Sequence, residues 1–159
     1  RFTIGTGGAV TMPNQPAFMV RPASGQDDIA MATDVNITFG TEQFDQGADV
    51  SVTNPNSDGN TATFTAPVTG KYQLSFVVRV NNIDSAASHF LVALVTSNRD
   101  YISRIDPDFG QDPASWVFSL SILAEMEASD TAFIRVNSGA GTAQSDITTE
   151  SKFSGFLAC

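Results

Sequence analysis

The sequence has little positive charge and a single cysteine. Lysine plus arginine number 8 against 17 aspartates plus glutamates among 159 residues, which gives a formal net charge of −9 and a pI of about 4.2. Proteins that bind nucleic acid need a basic surface for the phosphate backbone, so this composition argues against such a partner. Cys159 alone cannot form an internal disulfide framework or a cysteine-based zinc site.

Long apolar runs and long amphipathic helical patterns are also missing. No stretch approaches the ~20 apolar residues of a membrane-spanning helix, and no secretion signal opens the chain, so we expect no membrane insertion. Because the chain begins at Arg1 rather than methionine, we expect a fragment or a processed product. Serine, threonine, asparagine, aspartate and glycine supply most of the polar surface, which is typical of proteins built from short strands and many turns.

The segment from Ala62 to Val80 carries the clearest structural signal. Pro67 and Gly70 bracket a turn, because proline fixes φ and glycine permits a sharp change of direction. Val77 is the one outward position of the following strand that is not polar. The strand itself is predicted from apolar residues at every second position, namely Tyr72, Leu74, Phe76, Val78 and Val80.

Similar patterns predict roughly eight to ten short strands in all, separated by turns, and therefore an all-β fold of two antiparallel sheets, a sandwich or jelly roll. Residues 42–49 are interpreted as a surface loop. Gly155, inside the last predicted strand, indicates close packing of a neighbouring backbone. Residues 1–15 are predicted to be a linker rich in glycine, threonine and proline, and residues 16–159 a single domain. The remaining predicted strands lie at 16–20, 36–39, 50–52, 62–65, 89–96, 101–105, 116–122, 131–136 and 152–159.

Two stretches contain closely spaced oxygen ligands. Residues 54–59 imitate the start of an EF-hand loop, but the first ligand is asparagine and Thr65 stands where a bidentate glutamate belongs, so we interpret them as an Asx-rich turn. Residues 106–113 contain three aspartates, which could bind calcium because hard cations prefer clustered oxygens. Two prolines and a glycine in the same stretch favour an ordinary solvated loop over a calcium site.

Enzymatic signatures are absent. A Ser-His-Asp hydrolase needs a histidine between nucleophile and carboxylate, and His89, the only histidine, begins an apolar strand in a chain without a G-x-S-x-G motif. The 17 acidic residues permit many carboxylate pairs, but none stands out from the surface background. We therefore expect that the chain is not an enzyme.

Four pieces of the sequence together resemble the C1q-like globular head, within the wider C1q and tumour necrosis factor superfamily. They occur in that family's order and at about its spacing. Ser129-Asp130 departs from the usual Gly-Asp turn, and residues 137–150 give no clear anchor. The four pieces are Pro16-Ala17-Phe18, the stretch from Phe64 to Tyr72, the stretch from Leu123 to Val136, and the stretch from Phe153 to Leu157.

The resemblance implies a jelly roll that assembles as a homotrimer at the end of a stalk and acts in recognition. The acidic, lysine-poor composition and residues 11–18 look more like the phage and bacterial versions, which occur on tail fibres and other virion appendages. We therefore expect a receptor-binding head on the virion surface or outside the cell, with a host-cell receptor, a glycan and other fibre or virion proteins as partners. A purely structural trimerisation or capping domain and a secreted pattern-recognition protein remain alternatives.

Two groups of residues are predicted to serve these roles. Calcium on the three-fold axis is allowed by the resemblance, but no residue matches a calcium motif closely enough to be named, and no other cofactor is expected. For the trimer seam, packing in the core of the single chain is the open alternative, and for Phe109 the open alternative to ligand contact is burial in the core or at the seam. The predicted ligand contacts are Tyr101, Asp106, Asp108, Phe109 and Asp112, and the predicted seam residues are Tyr72, Phe76, Trp116, Phe153 and Phe156.

Overall fold

The computed structural model describes residues 3–4, 7–8, 10–12, 14–52 and 62–159. All regular structure in these ranges is β-strand, which confirms the predicted all-β class. In chain order the strands are β1 (Thr3–Ile4), β2 (Val10–Thr11), β3 (Ala17–Arg21), β4 (Asp34–Asn36), β5 (Thr41–Gln46), β6 (Val50–Ser51), β7 (Thr63–Thr65), β8 (Gly70–Asn81), β9 (Phe90–Thr96), β10 (Asp100–Ile105), β11 (Ser115–Met126), β12 (Thr131–Ser138), β13 (Asp146–Ile147) and β14 (Lys152–Leu157).

Two six-stranded antiparallel sheets form the domain. The front sheet has the order β11-β8-β14-β3-β5, with β13 also paired to β8. The back sheet has the order β10-β9-β12-β7-β6, with β4 also paired to β12. Neighbouring strands are mostly not consecutive in sequence, which is the connectivity of a jelly roll and confirms the predicted sandwich. Strands β1 and β2 pair with each other in a separate small sheet.

Strand β8 lies second from one edge of the front sheet and has the longest pairing in it. It pairs along its whole length with β11, from Gly70 opposite Met126 to Asn81 opposite Ser115, and on its other side with β14. Its five predicted inward residues, Tyr72 to Val80 at every second position, are all fully buried. The alternating pattern in the sequence therefore arises because one face of this strand lies against the core.

Aromatic side chains join the two sheets at both ends of the core. Phe18 of β3 stacks on Phe64 of β7 with ring centroids 4.8 Å apart, and meets Phe153 edge to face at 5.0 Å. Further along, Phe90 of β9 stacks on Phe118 of β11 at 5.4 Å. Such pairs add about 0.5–1.5 kcal/mol each beyond the burial of their area, so they help to fix how one sheet lies on the other.

The predicted surface loop at residues 42–49 is wrong for most of its length. Residues 41–46 form β5, an edge strand that pairs with β3 through a bulge between Met19 and Val20. The apolar alternation that predicts a strand is absent from this segment, because an edge strand needs no continuous apolar face. Its one large apolar side chain, Phe44, points outward. The strand predicted at 36–39 is shifted, since β4 ends at Asn36. The turn predicted at 54–59 lies outside the described residues.

Candidate functional site

Four connections meet at one end of the sandwich, at residues 22–33, 82–89, 106–114 and 139–151, and the last of them includes β13. We call them the distal loops. Carboxylates hold them together by accepting backbone hydrogen bonds. Asp84 is buried and accepts from the amides of Ala86 and Thr142, which joins two of the loops. Asp146 accepts from the amide of Asp28 at 3.0 Å, which joins a third. The end of the domain is thereby a connected surface rather than four separate loops.

Asp112 anchors the loop at 106–114 to its neighbours. One carboxylate oxygen accepts from the amide of Ser85 at 2.8 Å and from its hydroxyl at 2.7 Å, and the other accepts from the side-chain amide of Gln144 at 2.8 Å. These bonds lower the pKa of Asp112 to about 2, with the backbone bond from Ser85 as the largest cause. Because both oxygens are engaged, Asp112 positions the loop and has little capacity left for a ligand.

Phe109 and Trp116 form the most exposed aromatic pair of the described residues. Their rings stack with centroids 5.2 Å apart and an interplanar angle of 23°. Phe109 is 42% exposed and Trp116 37% exposed, although large aromatic side chains are usually covered. The two stacked rings, one from the loop and one from β11, are therefore exposed to solvent. Phe109 lies in the same loop as the aspartates predicted to contact a ligand.

The predicted ligand contacts are not all brought together. Asp106, Asp108, Phe109 and Asp112 share one loop at the distal end. Tyr101 lies near the start of β10, whereas this loop follows the end of that strand. The Tyr101 side chain is half-buried against the edge of the core, beside a groove that Arg99 and Leu123 also line. Tyr101 thus belongs to a different surface from the other four.

The five predicted seam residues also separate. Tyr72, Phe76 and Phe153 are fully buried in the sandwich of the single chain, so they supply its core and offer no surface to a second copy. Phe156 lies three positions after Phe153, which places it on the opposite face of β14, where it is exposed. Trp116 is exposed as well, and a role for Trp116 and Phe156 at a seam stays a prediction.

The outward side of the front sheet carries an apolar face that the sequence revealed only in part. Phe44, Leu123 and Phe156 are 50%, 54% and 49% exposed. The strand register aligns Leu123, Gln73 and Phe156 in one row across three strands, and places Phe44 opposite Met19 in the next. The sequence indicates only one member of this face, Val77, which is the one outward position of β8 that is not polar. We call Met19, Phe44, Val77, Val117, Leu123 and Phe156 the apolar face.

His89 is held in a structural hydrogen-bond chain. Its Nε2 lies 3.0 Å from Oδ1 of Asn137, whose amide nitrogen donates to Asp34 at 2.8 Å. Its Nδ1 contacts the hydroxyl of the adjacent Ser88 at 3.3 Å. A serine next to histidine in sequence and a carboxylate reached through an amide do not make the geometry of a catalytic triad.

Metal ligands do not cluster in the described part of the chain. In those ranges no three His, Cys, Asp or Glu side chains of the single chain lie close enough together to hold an ion. Calcium on a three-fold axis, which the resemblance allows, stays a prediction. No helix in the same ranges has the length and apolar character needed to cross a membrane.

A family comparison identifies this architecture. The model of the C1q domain matches residues 25–158. The chain belongs to the C1q domain family. The resemblance predicted from four sequence pieces is therefore confirmed, although the first piece, Pro16-Ala17-Phe18, precedes the matched range. A search of curated protein sequences gives no significant match.

Solved structures with the same fold come from distant proteins. The globular domain of zebrafish complement 1qA protein is 18% identical, with a TM-score of 0.59 over 91% of this chain and 98% of that chain. Murine APRIL is 12% identical, with a TM-score of 0.57 over 90% and 98%. PRD1 vertex protein P5 is 14% identical, with a TM-score of 0.50 over 92% and 98%. At these identities the likeness shows the C1q and tumour necrosis factor jelly roll and no more.

Proposed function

We propose that this chain is a non-enzymatic recognition head that assembles as a homotrimer at the end of a fibre or stalk and binds a cell-surface receptor, protein or glycan. A phage tail fibre or another virion appendage is the favoured setting, with other fibre or virion proteins as neighbours. C1q-like heads are commonly trimeric, receptor-binding and extracellular, and a vertex protein shares the fold. The observation that carries the proposal is the exposed apolar face of the front sheet.

The apolar face is a surface that a second copy would cover. Five of its six side chains are among the exposed large hydrophobic residues, and they lie on adjacent strands of one sheet. Gln73, Ser75, Ser154 and Lys152 lie between them in the register, so the face mixes apolar and polar side chains. Several large exposed apolar side chains on one side of a sheet are typical of an interaction surface. Among the strands that the structure describes, β11 adds an edge of twelve residues that has a hydrogen-bonded neighbour, β8, on one side only. Long exposed edges of this kind invite pairing or aggregation unless another element covers them.

The charges on the front sheet support approach of like chains. The outward positions of β3, β8, β11 and β14 carry one acidic side chain and four basic side chains, of which Arg79 is ion-paired with Glu150, although the whole chain has a net charge of −9. The repulsion expected between strongly acidic copies is therefore concentrated away from this face. When each copy contacts one neighbour through one patch and the other neighbour through a second patch, the copies close into a ring. A homotrimer is such a ring. The basic residues are Arg21, Lys71, Arg79 and Lys152, and the acidic residue is Glu125.

Binding to a panel of bacterial cell surfaces and to a glycan array tests the recognition role. We expect saturable binding of the assembled protein to a subset of surfaces, and loss of that binding in Phe109→Ala, which removes the outer ring of the exposed aromatic pair. Val68→Ala, at a similarly exposed apolar side chain in the turn at the opposite end of the front sheet, is the matched control. A folded trimer that binds no surface, or a Phe109→Ala variant that binds as well as the control, would contradict recognition through this loop.

A further inference from the structure

The Phe109–Trp116 pair lies apart from the apolar face. Trp116 and Phe118 share one side of β11, and Phe118 points into the core. Val117, between them, points to the opposite side, where the apolar face lies. Assembly through the front sheet would therefore leave the stacked rings of Phe109 and Trp116 accessible at the edge of the distal end.

The loop that carries Phe109 is fixed at both ends. Pro107 is buried, and its carbonyl accepts a hydrogen bond from the amide of Phe109 at 2.7 Å. Asp112 is tied to Ser85 and Gln144 by three hydrogen bonds. A ring held in this way loses little conformational entropy when a ligand arrives, so the pair is preorganised for binding.

The segment that carries the two rings is acidic. Residues 104–116 contain three aspartates and one basic residue, Arg104. Within the described part of the chain, the exposed carboxylates of Asp106 and Asp108 have no hydrogen-bond or ion-pair partner. A cation placed over an aromatic face is attracted by the ring quadrupole, and two free carboxylates beside the ring strengthen that attraction. An anionic glycan would be repelled by the same groups.

We propose that the stacked rings of Phe109 and Trp116, with the carboxylates of Asp106 and Asp108, form a binding platform for arginine or lysine side chains on a partner protein. This inference rests on the recognition role proposed above and gives the chemistry of the partner. Neutral sugars also stack on aromatic rings, but they leave the two carboxylates without a charged partner, so a cationic protein surface fits the platform better. Asp112 acts as a positioning residue for the platform.

The fluorescence of Trp116 tests the proposal directly, because it is the only tryptophan in the chain. The assembled protein is titrated with a short arginine–glycine repeat peptide, with a glutamate–glycine peptide of equal length, and with a neutral oligosaccharide. We expect a saturable change in Trp116 emission with the arginine peptide alone, and weaker binding of that peptide as salt is raised. Emission that responds to the sugar but not to the arginine peptide would overturn the proposal in favour of a glycan.

Matched variants separate a local platform from general attraction to an acidic protein. Asp106→Asn with Asp108→Asn is expected to weaken the arginine peptide about tenfold, and Phe109→Leu, which keeps apolar volume but loses the ring, by a similar factor. The control is Glu125→Gln with Glu127→Gln, which removes the same charge from the opposite end of β11. Equal weakening in the control and in the aspartate variant would overturn the proposal.

Quenching of Trp116 by caesium and iodide distinguishes failure of the platform from failure of the assembly. The proposal requires Trp116 to be quenched in the assembled protein, and more by the cation than by the anion. A trimer in which neither ion reaches Trp116 would place this side chain at the seam and overturn the platform while leaving the trimer intact. Binding of the arginine peptide by a monomeric protein would instead preserve the platform and contradict the assembly.

Discussion

Ser75 and Ser154 face each other across β8 and β14, with their hydroxyl oxygens 3.0 Å apart in the middle of the outward side of the front sheet. Each hydroxyl therefore has a partner within the same chain. A buried hydroxyl without a partner costs about 1–3 kcal/mol, so this pairing allows the centre of the sheet to be covered without that penalty. A second copy could therefore cover this serine pair together with the apolar residues around it.

Replacing an apolar-face residue with a charge is expected to stop assembly without unfolding the chain. In Val77→Asp or Phe156→Asp the new carboxylate would be trapped in the covered surface, which costs several kcal/mol when it has no partner. Both side chains point away from the core, so the circular dichroism spectrum should stay unchanged while light scattering shows a monomer. Val68→Asp, at an equally exposed valine in the turn before β8, should keep the wild-type mass. Trimeric Val77→Asp and Phe156→Asp variants would exclude this face as the seam.

Tyr72 is expected to stabilise the chain itself. Its ring is fully buried and its hydroxyl donates to the carbonyl of Val68 at 2.7 Å. Tyr72→Ser should lower the free energy of unfolding by about 3–5 kcal/mol and Tyr72→Phe by about 1 kcal/mol, since the second variant loses only the hydrogen bond. Urea denaturation at one fixed protein concentration measures both. A Tyr72→Ser variant of wild-type stability that runs as a monomer would instead place Tyr72 at a seam.

Alternation along a strand is a reliable guide to the fold because it reports which face is buried. Strand β8 and the start of β11 were predicted from it, and both run as expected, although β11 continues to Met126. The same alternation cannot say what covers the face. Tyr72 and Phe76 are buried by the back sheet of their own chain, a distinction between core and seam that requires the three-dimensional arrangement of both sheets.

Gly155 is required by close packing inside the front sheet. A Cβ added there would lie 2.5 Å from Leu74 Cδ2, 2.8 Å from Phe18 Cε1 and 3.2 Å from the carbonyl oxygen of Gln73. The close approach predicted from sequence is thus present, and most of it comes from side chains. Gly155→Ala should cost about 1–3 kcal/mol of unfolding free energy in chemical denaturation, as expected for overpacking a core.

A glycine in open space supplies the control for that substitution. A Cβ added at Gly7 would meet nothing within 4 Å, so Gly7→Ala should leave the unfolding free energy close to that of the wild type. Similar stabilities for Gly155→Ala and Gly7→Ala would show that the strands around Leu74 and Phe18 can move apart at little cost.

The hydrogen bonds to Asp112 predict a pH dependence of stability. Its pKa in the folded chain, about 2, is below the ordinary value of 3.8, so the carboxylate form is favoured by folding. The stability it contributes is fully present above pH 3.8 and is lost as the pH falls toward 2. The melting temperature of Asp112→Asn should therefore be below that of the wild type near neutral pH, and the two should converge in strong acid.

Asp108→Asn serves as the control for the pH series. Its carboxylate has no hydrogen-bond partner among the described residues, so its melting curve should follow that of the wild type. A constant difference between Asp112→Asn and the wild type across the whole pH range would show that the substitution acts through shape or packing and not through the ionised carboxylate.

The candidate site was only partly readable from the sequence. Phe109 and its flanking aspartates stood out because an aromatic residue in an acidic loop is unusual, but the stacking on Trp116 depends on how the loop returns to β11. The apolar face is spread over five strands that are distant in sequence, with Phe44 and Leu123 as its extremes. Only the pairing of these strands brings the residues together, and no single stretch of the sequence shows which distant strands will become neighbours.

The molar mass of the purified protein in solution tests the central claim, that this C1q domain acts as a trimeric head assembled through its front sheet. Light scattering of the wild type should give about 50 kDa, three times the 16.8 kDa of one chain, and Val77→Asp should give the mass of one chain. A wild-type protein of 16.8 kDa at all concentrations measured would contradict the account.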